Sequence, residues 1–410
     1  MSILLIIADG MADEPIPALD YKTPLELASK PTLDRIAYEG QNGLAKTVPE
    51  GWDVGSDTAC LSILGYELDQ SYPGRSALEA TQLNIPIGND ELVMRCNLIT
   101  VENNHISSFT ADHISTSEAD ELISFLNKKL GNEDITFYTG NSYRHILKVR
   151  AESHLLKCNS PHNYIDADKS YLHVQPMEAS AESTAQLLNA ITDKSCDILS
   201  EHPINKERVK RGLKPANAIS LWAPGTTPTF EPFNQLHPLK KGAVISAVDL
   251  INGIGGLVGF DVIKVEGATG QANTNYEGKI QAALTALKEY DFVLLHIEAP
   301  DEASHDGNLD LKIKTIEDID KRVLEPLYTE ISKMQEAPLI AILPDHITST
   351  LQKIHLKGTV PFTIYHPNLK PDNAVSFSET EAKKGAFQFE DTKSFMDLLS
   401  STQANLKHKK

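Results

Sequence analysis

At 410 residues the chain exceeds the size at which a single core usually stops growing, so two domains, or one large domain carrying an insertion, are expected. Apolar residues make up 41% and charged residues 23%, the mix of an ordinary folded protein. Lys and Arg number 38 against 56 Asp and Glu, and the net charge of −18 sets aside nucleic acid or an anionic membrane as the main partner while suiting hard divalent cations.

The chain opens on an apolar run, Ile3 to Ile7, that stops at Asp9 and Gly10. It is too short for a signal-peptide core and has no basic residues before it, so it reads as a buried parallel strand of a cytoplasmic protein. No segment approaches the roughly 20 apolar residues of a membrane span. The next informative stretch, Gly51 to Tyr66, places Gly55 and Ser56 just before a run with helical spacing. A hydroxyl at a helix N-terminus meets free N–H groups and a favourable dipole for an anion, although most serines there only cap the helix.

From Cys96 to Glu182 the texture changes. Strand-like pieces (Cys96–Val101, Ser107–Phe109, His145–Val149) surround an amphipathic helix at Ser117–Leu130, with another at Ala181–Thr192. We expect an α+β insertion at 96–185 interrupting a larger domain made of 1–95 and 186–410. The four cysteines, Cys60, Cys96, Cys158 and Cys196, form no CxxC pair and are expected to be free thiols.

Further apolar runs at Ala243–Ala247, Phe292–Ile297, Leu339–Leu343 and Val360–Tyr365 alternate with helical patterns at Asn275–Glu289 and Lys312–Met334. Such alternation predicts an α/β fold with a doubly wound, mostly parallel sheet, whose chemistry gathers at the carboxyl ends of its strands. Gly253, Gly255, Gly256 and Gly259 suggest a dinucleotide loop, but Val258 stands where its last glycine is needed.

Asp9, Asp301 and Asp345 each follow a strand closely. Asp301 and His305 are four apart, on one face of a helical turn. His346 adjoins Asp345, and His355 follows within ten residues. Taken singly, each window has a bland reading as surface acids and histidines. Together with Ser56 they supply enough ligands for two metals about 4 Å apart.

These windows carry a resemblance. Asp9 after the first strand, GSDTA around Ser56, PDEASHDG, PDH and a later His before Gly–x–x–Pro look like the alkaline phosphatase superfamily. More narrowly, the chain resembles the cofactor-independent phosphoglycerate mutases of the archaeal type. GRSALEA (Gly74–Ala80), MRCNLITV (Met94–Val101), SYRHILKV (Ser142–Val149), SPH (Ser160–His162) and KPANAISLW (Lys214–Trp222) extend the likeness over essentially the whole chain.

The resemblance implies one divalent ion held by Asp9, Ser56, Asp345 and His346, and a second held by Asp301, His305 and His355. Manganese is the expected metal, with magnesium, zinc or cobalt as alternatives. Ser56 would be transiently phosphorylated while 3-phosphoglycerate and 2-phosphoglycerate interconvert. A homoserine kinase-like transfer, or plain phosphomonoester hydrolysis, is the alternative. The insertion would serve as a lid. Arg75, Arg95, Arg144 and Arg208 are candidates to grip a small phosphorylated substrate, and His145 or His162 to shuttle a proton. The chain departs from the family's SPH-Asp pattern at Asn163. A monomer or small homo-oligomer is expected.

Overall fold

The computed structural model describes residues 1–391 and 393–408. It divides into two compact units, one of Met1–Tyr72 with Phe230–Lys410, the other of Pro73–Thr229.

The first unit is built on an eight-stranded sheet in the order Asp261–Val262, Gly242–Ile245, Phe292–Ile297, Ile3–Ala8, Leu339–Leu343, Val360–Tyr365, Gln41–Ala45, Phe387–Phe389. The mostly parallel sheet expected from the alternating pattern is present. Only Val360–Tyr365 runs against its neighbours. Ile3–Ala8 lies at the centre, parallel to both Phe292–Ile297 and Leu339–Leu343. That position explains its unbroken apolar sequence. Leu4, Ile6 and Ala8 pack with helical residues such as Leu33, Ile36, Ile280 and Ile316, while Ile3, Leu5 and Ile7 are buried just as fully. Burying each Leu or Ile contributes about 1.5–3 kcal/mol.

The helix expected over Lys312–Met334 is broken. Leu309–Ile319 is followed by a π turn at Asp320–Leu324 and a new helix at Glu325–Ile331. Pro326 lacks an N–H and would clash with the carbonyl four residues back, and the widened turn relieves that conflict. The glycine run lies in the helix Asp249–Leu257. A Cβ on Gly255 would come within 2.4 Å of Val244 Cγ1, so close helix–strand packing accounts for that glycine.

The second unit carries an antiparallel sheet. Glu91–Glu102 pairs with Arg144–Arg150 and Ala218–Gly225, His105–Ser108 pairs with Glu91–Glu102, and Ile135–Asn141 pairs with Arg144–Arg150. The helix Thr116–Leu130 buries Ala119, Leu122, Ile123 and Leu126 in a core that includes Met94, Cys96, Leu98, Leu147 and Val149. The unit is wider than the expected 96–185 at both ends. Ala218–Gly225 supplies a strand to its sheet, and the helix Arg75–Gln82 contributes Ala77 and Ala80 to a cluster with Val93 and Ile146. All four cysteines are free. Among the described residues no helix is long and apolar enough to cross a membrane.

Candidate metal centre and active site

Asp9 follows the central strand directly, and its N–H donates to the carbonyl of Ile297 at 2.9 Å. Asp345 follows the neighbouring strand Leu339–Leu343. Both are completely buried. Gly10, at φ +62°, lets the chain turn away between them. A Cβ there would fall 2.6 Å from Asp301 Cα, so only glycine admits the Asp301 helix this close. The Gly10 N–H donates to Asp345 Oδ1 at 3.2 Å.

Ser56 is the first residue of the helix Ser56–Ile63, with Gly55 before it in extended conformation. Its Oγ lies 3.3 Å from Asp9 Oδ2 and 3.3 Å from His346 Nε2. Asp301 and His305 lie on the short helix Ala299–His305, with Asp301 Oδ2 3.3 Å from His305 Nε2. His355 Nε2 is 3.4 Å from Asp301 Oδ1 and 2.9 Å from His305 Nε2. The structure therefore brings together all seven residues singled out as ligands, every one in the first unit.

The hydrogen bonds behind the ligands show that the cage fits a divalent cation. His305 Nδ1 donates to the Lys353 carbonyl at 3.0 Å and His355 Nδ1 to the Val54 carbonyl at 3.1 Å. Thr348 gives its hydroxyl proton to Asp301 Oδ1 at 2.7 Å, so it can only accept from His346 Nδ1, 3.1 Å away. Each neutral imidazole is thereby left with a bare Nε2 lone pair facing carboxylates, the arrangement in which metal-binding histidines are held. Two lone pairs 2.9 Å apart beside a carboxylate repel unless a positive charge sits among them. Asp9 Oδ1 and Asp345 Oδ2 are also buried without a hydrogen-bond partner among the described residues, although His346 Nε2 is 3.2 Å from the latter. Ligand atoms of Asp9, Asp345 and His346 lie within 4.8 Å of one another, as do those of Asp301, His346 and His355.

Some members of this centre were missed in the sequence. Glu298 joins Asp9 and Asp301 in a third group of converging ligand atoms. His296 Nε2 lies 3.1 Å from Asp9 Oδ2, and its Nδ1 is 3.2 Å from Ser246 Oγ. A His and an acid two apart at the end of an otherwise apolar strand, His296 and Glu298, were the available signal. Thr348 gave none.

Protons and a cation compete for the same atoms of this centre. His305 is raised to about 9, chiefly by its hydrogen bond to Asp301. Glu298 is raised to about 8, first by burial and then by the charges of Glu302, Asp301 and Asp345. Burial alone would raise Asp301, but hydrogen bonds from His305 and His355 hold it well below the usual carboxylate range. A raised folded-state pKa stabilises the fold at low pH, and that stability is lost as pH rises through the folded value. His305 contributes fully below its ordinary 6.5 and loses its contribution by about 9, and Glu298 does so between its ordinary 4.5 and about 8. Above pH 6.5 the histidines that burial depresses, such as His145 and His296, are neutral in both states, so chelator-treated protein should melt at progressively lower temperature between pH 6.5 and 9, and added manganese should flatten the curve. A melting temperature of the chelated protein that is flat or rises over that window would refute this account of the cage.

In the second unit Arg75 and Arg95 share Glu79, at 3.4 and 3.0 Å. Arg95 lies 4.5 Å over the Trp222 ring, and His162 packs against the same ring at 5.7 Å. Arg144 lies on the same sheet face, opposite Asn97. Two other candidates are placed elsewhere. Arg208, 2% exposed, spends its guanidinium on Glu118, the Ala111 carbonyl and the Lys214 carbonyl, so it is a structural crosslink and not a free anion grip. His145 alternates with Ile146 and so points with Leu147 and Val149 into the hydrophobic core, away from Arg144. Burial pushes it down to about 4, and it is not placed to shuttle protons. The side chain of Asn163 lies outside the described residues.

A caged hydroxyl, carboxylates and imidazoles at the carboxyl ends of a mostly parallel sheet define the class, a divalent-metal enzyme of the α/β type. A family model described as 2,3-bisphosphoglycerate-independent phosphoglycerate mutase matches residues 37–205. A relative of that name from Methanosarcina barkeri is 43% identical over 391 residues, covering 94% of this chain and 96% of its own. One from Geobacter sulfurreducens, named a probable mutase of the same kind, is 39% identical over 97% and 99% of the two chains. The solved structure of a cofactor-independent phosphoglycerate mutase from Thermoplasma acidophilum is similar with a TM-score of 0.67 at 29% identity, covering 98% of this chain and 99% of that one. A Pyrococcus horikoshii protein reaches 0.78 at 31% identity, covering 97% and 96%. The chain belongs to the 2,3-bisphosphoglycerate-independent phosphoglycerate mutase family.

Proposed function

We propose that this chain interconverts 3-phosphoglycerate and 2-phosphoglycerate by passing the phosphoryl group through Ser56, with two divalent ions in the cage and manganese the first choice. The observation that carries the reading is the position of Ser56 Oγ, 3.3 Å from both Asp9 and His346 at the start of a helix. Asp9, Ser56, Asp345 and His346 would hold one ion, and Asp301, His305 and His355 the other. Bound ions supply positive charge that favours the serine alkoxide and offsets the charge of the transferring phosphoryl group.

Asp9 and His346 orient the Ser56 hydroxyl for in-line attack. Ser56 Oγ forms a bond to phosphorus as the bond from phosphorus to the glycerate oxygen breaks, leaving phosphoserine and glycerate. The other glycerate hydroxyl then attacks that phosphorus and releases Ser56. The proton that leaves one glycerate hydroxyl must reach the other. His162 is our choice of carrier, because burial first, then Arg95 and Arg75, lower its pKa and favour the neutral, proton-accepting ring. Retaining glycerate and keeping water from the phosphoserine separate a mutase from a phosphatase, and we assign the retention of glycerate to the second unit.

Mass spectrometry after brief exposure of the metal-loaded protein to 3-phosphoglycerate tests the reading. A phosphate adduct is expected on the peptide containing Ser56, and none in Ser56→Ala. Parallel assays with homoserine plus a phosphoryl donor and with a generic phosphomonoester should show little turnover. Rapid phosphorylation of homoserine with no mutase activity would overturn the choice of substrate.

A further inference from the structure

On one sheet face of the second unit Trp222 Nε1, Ser220 Oγ and Asn97 Oδ1 are buried with no hydrogen-bond partner among the described residues. Asn97 and Ser220 are 3% and 0% exposed. The strand Glu91–Glu102 sends Met94, Cys96 and Leu98 into the hydrophobic core, so Arg95 and Asn97 project from the opposite face. In the antiparallel pairing with Ala218–Gly225, Trp222 stands across from Arg95 and Ser220 across from Asn97. The three atoms therefore share a face with the Arg95–Trp222 stack. An unpaired buried polar group costs about 1–3 kcal/mol, and folded proteins rarely leave several in one patch without water, an ion or a ligand to pair them.

The chemistry of each atom specifies what is missing. An indole N–H only donates, so it needs an acceptor. An amide oxygen only accepts, so it needs a donor, and a hydroxyl can do either. Arg95, whose partner is Glu79, stacks on Trp222 with Arg144 on the same sheet face, so guanidinium groups draw an anion here. The ligand must offer an anionic acceptor and a hydroxyl donor within a few atoms of each other. A fully ionised phosphate has no donor for Asn97. The ammonium group of an amino acid would donate but would lie among guanidinium groups.

We infer that this face seats the hydroxy-acid end of the substrate, its carboxylate toward Arg95 and Trp222 and a hydroxyl toward Asn97 and Ser220. The inference rests on the mutase reading for the identity of the whole substrate, but the hydroxy-acid seat can be tested separately. Trp222, Ser220 and Asn97 then act as specificity residues that distinguish a glycerate from an amino acid.

The test uses the full-length, manganese-loaded protein, with D-glycerate as the probe in calorimetry and glycerol phosphate, which lacks the carboxylate, as the control. D-Glycerate should bind the wild type, and Trp222→Phe and Ser220→Ala should each weaken that binding by about tenfold. The KM for phosphoglycerate should rise by a similar factor with kcat nearly unchanged. Ser220→Ala should melt no lower than the wild type, since it removes an unpaired hydroxyl and breaks no internal bond. Undiminished D-glycerate binding in both variants would overturn the inference. So would a lower melting temperature in Ser220→Ala with an unchanged KM, which would make that hydroxyl purely structural. A wild type that lacks mutase turnover, yet binds D-glycerate in a Trp222-dependent way, would remove the mutase reading and leave the seat standing.

Discussion

Ser56→Ala is expected to lower kcat by about 10⁵-fold or more, because loss of the nucleophile leaves only binding and electrostatic assistance. Folding should be unaffected. Ser56 is half-buried at the first turn of its helix, Gly55 rather than Ser56 is the N-cap, and among the described residues the Ser56 Oγ meets Asp9 and His346. The cage around Asp301, His305 and His355 does not include Ser56, so metal bound there should remain. The variant should therefore be a well-folded, partly metalled protein without turnover. Steady-state assays, with metal content by atomic emission, provide the check. Activity within tenfold of the wild type would show that the phosphoryl group travels by another route.

The largest loss of stability is expected at Lys312, which takes no part in the chemistry. Its ammonium group, fully buried, donates to Asp13 Oδ2 at 2.8 Å, the Thr348 carbonyl at 2.8 Å and the Ala12 carbonyl at 3.2 Å. Burial draws its pKa down, and Asp13 resists that shift. Lys312→Met keeps most of the volume but strands the Asp13 charge and two carbonyls. Breaking one side of a buried ion pair costs about 3–5 kcal/mol. Because the same ammonium ties down Thr348, which orients His346 and Asp301, metal affinity should fall as well. Adding Asp13→Asn to Lys312→Met should recover part of the loss. Denaturant titration of the three variants measures both effects. A single variant within about 1 kcal/mol of wild type would mean the pair is compensated by its surroundings.

Most of the ligands were legible because Asp9, Asp301, His305, Asp345 and His346 stand at the end of an apolar strand or within about a helical turn or two beyond it, and such periodicity survives in a single sequence. Asp9, Asp301 and Asp345 could be placed at one sheet edge without coordinates. What holds them in position could not. Thr348 links His346 to Asp301 through one hydroxyl, and no spacing rule marks a threonine for that purpose. His296 sits inside an apolar run, and its ring position, 3.1 Å from Asp9, is what reveals it. Cross-strand pairing is equally silent. Ala218–Gly225 enters the second unit's sheet by pairing with residues far back in the chain, which is why the expected insertion ended too early. His145 and Arg144, adjacent in sequence, end on opposite faces of one strand. Reading them together as substrate residues ignored the alternation of strand side chains.

The central place of Ile3–Ala8 has a consequence during biosynthesis. This strand is synthesised long before its two neighbours, which begin at Phe292 and Leu339. At about 5–20 residues per second, the nascent chain waits for tens of seconds before the pairing edges exist. Throughout that interval a fully apolar, β-prone segment is available to other chains. Early chaperone capture would protect it, and the Ser56 hydroxyl can meet His346 only once the strand Leu339–Leu343 has been made.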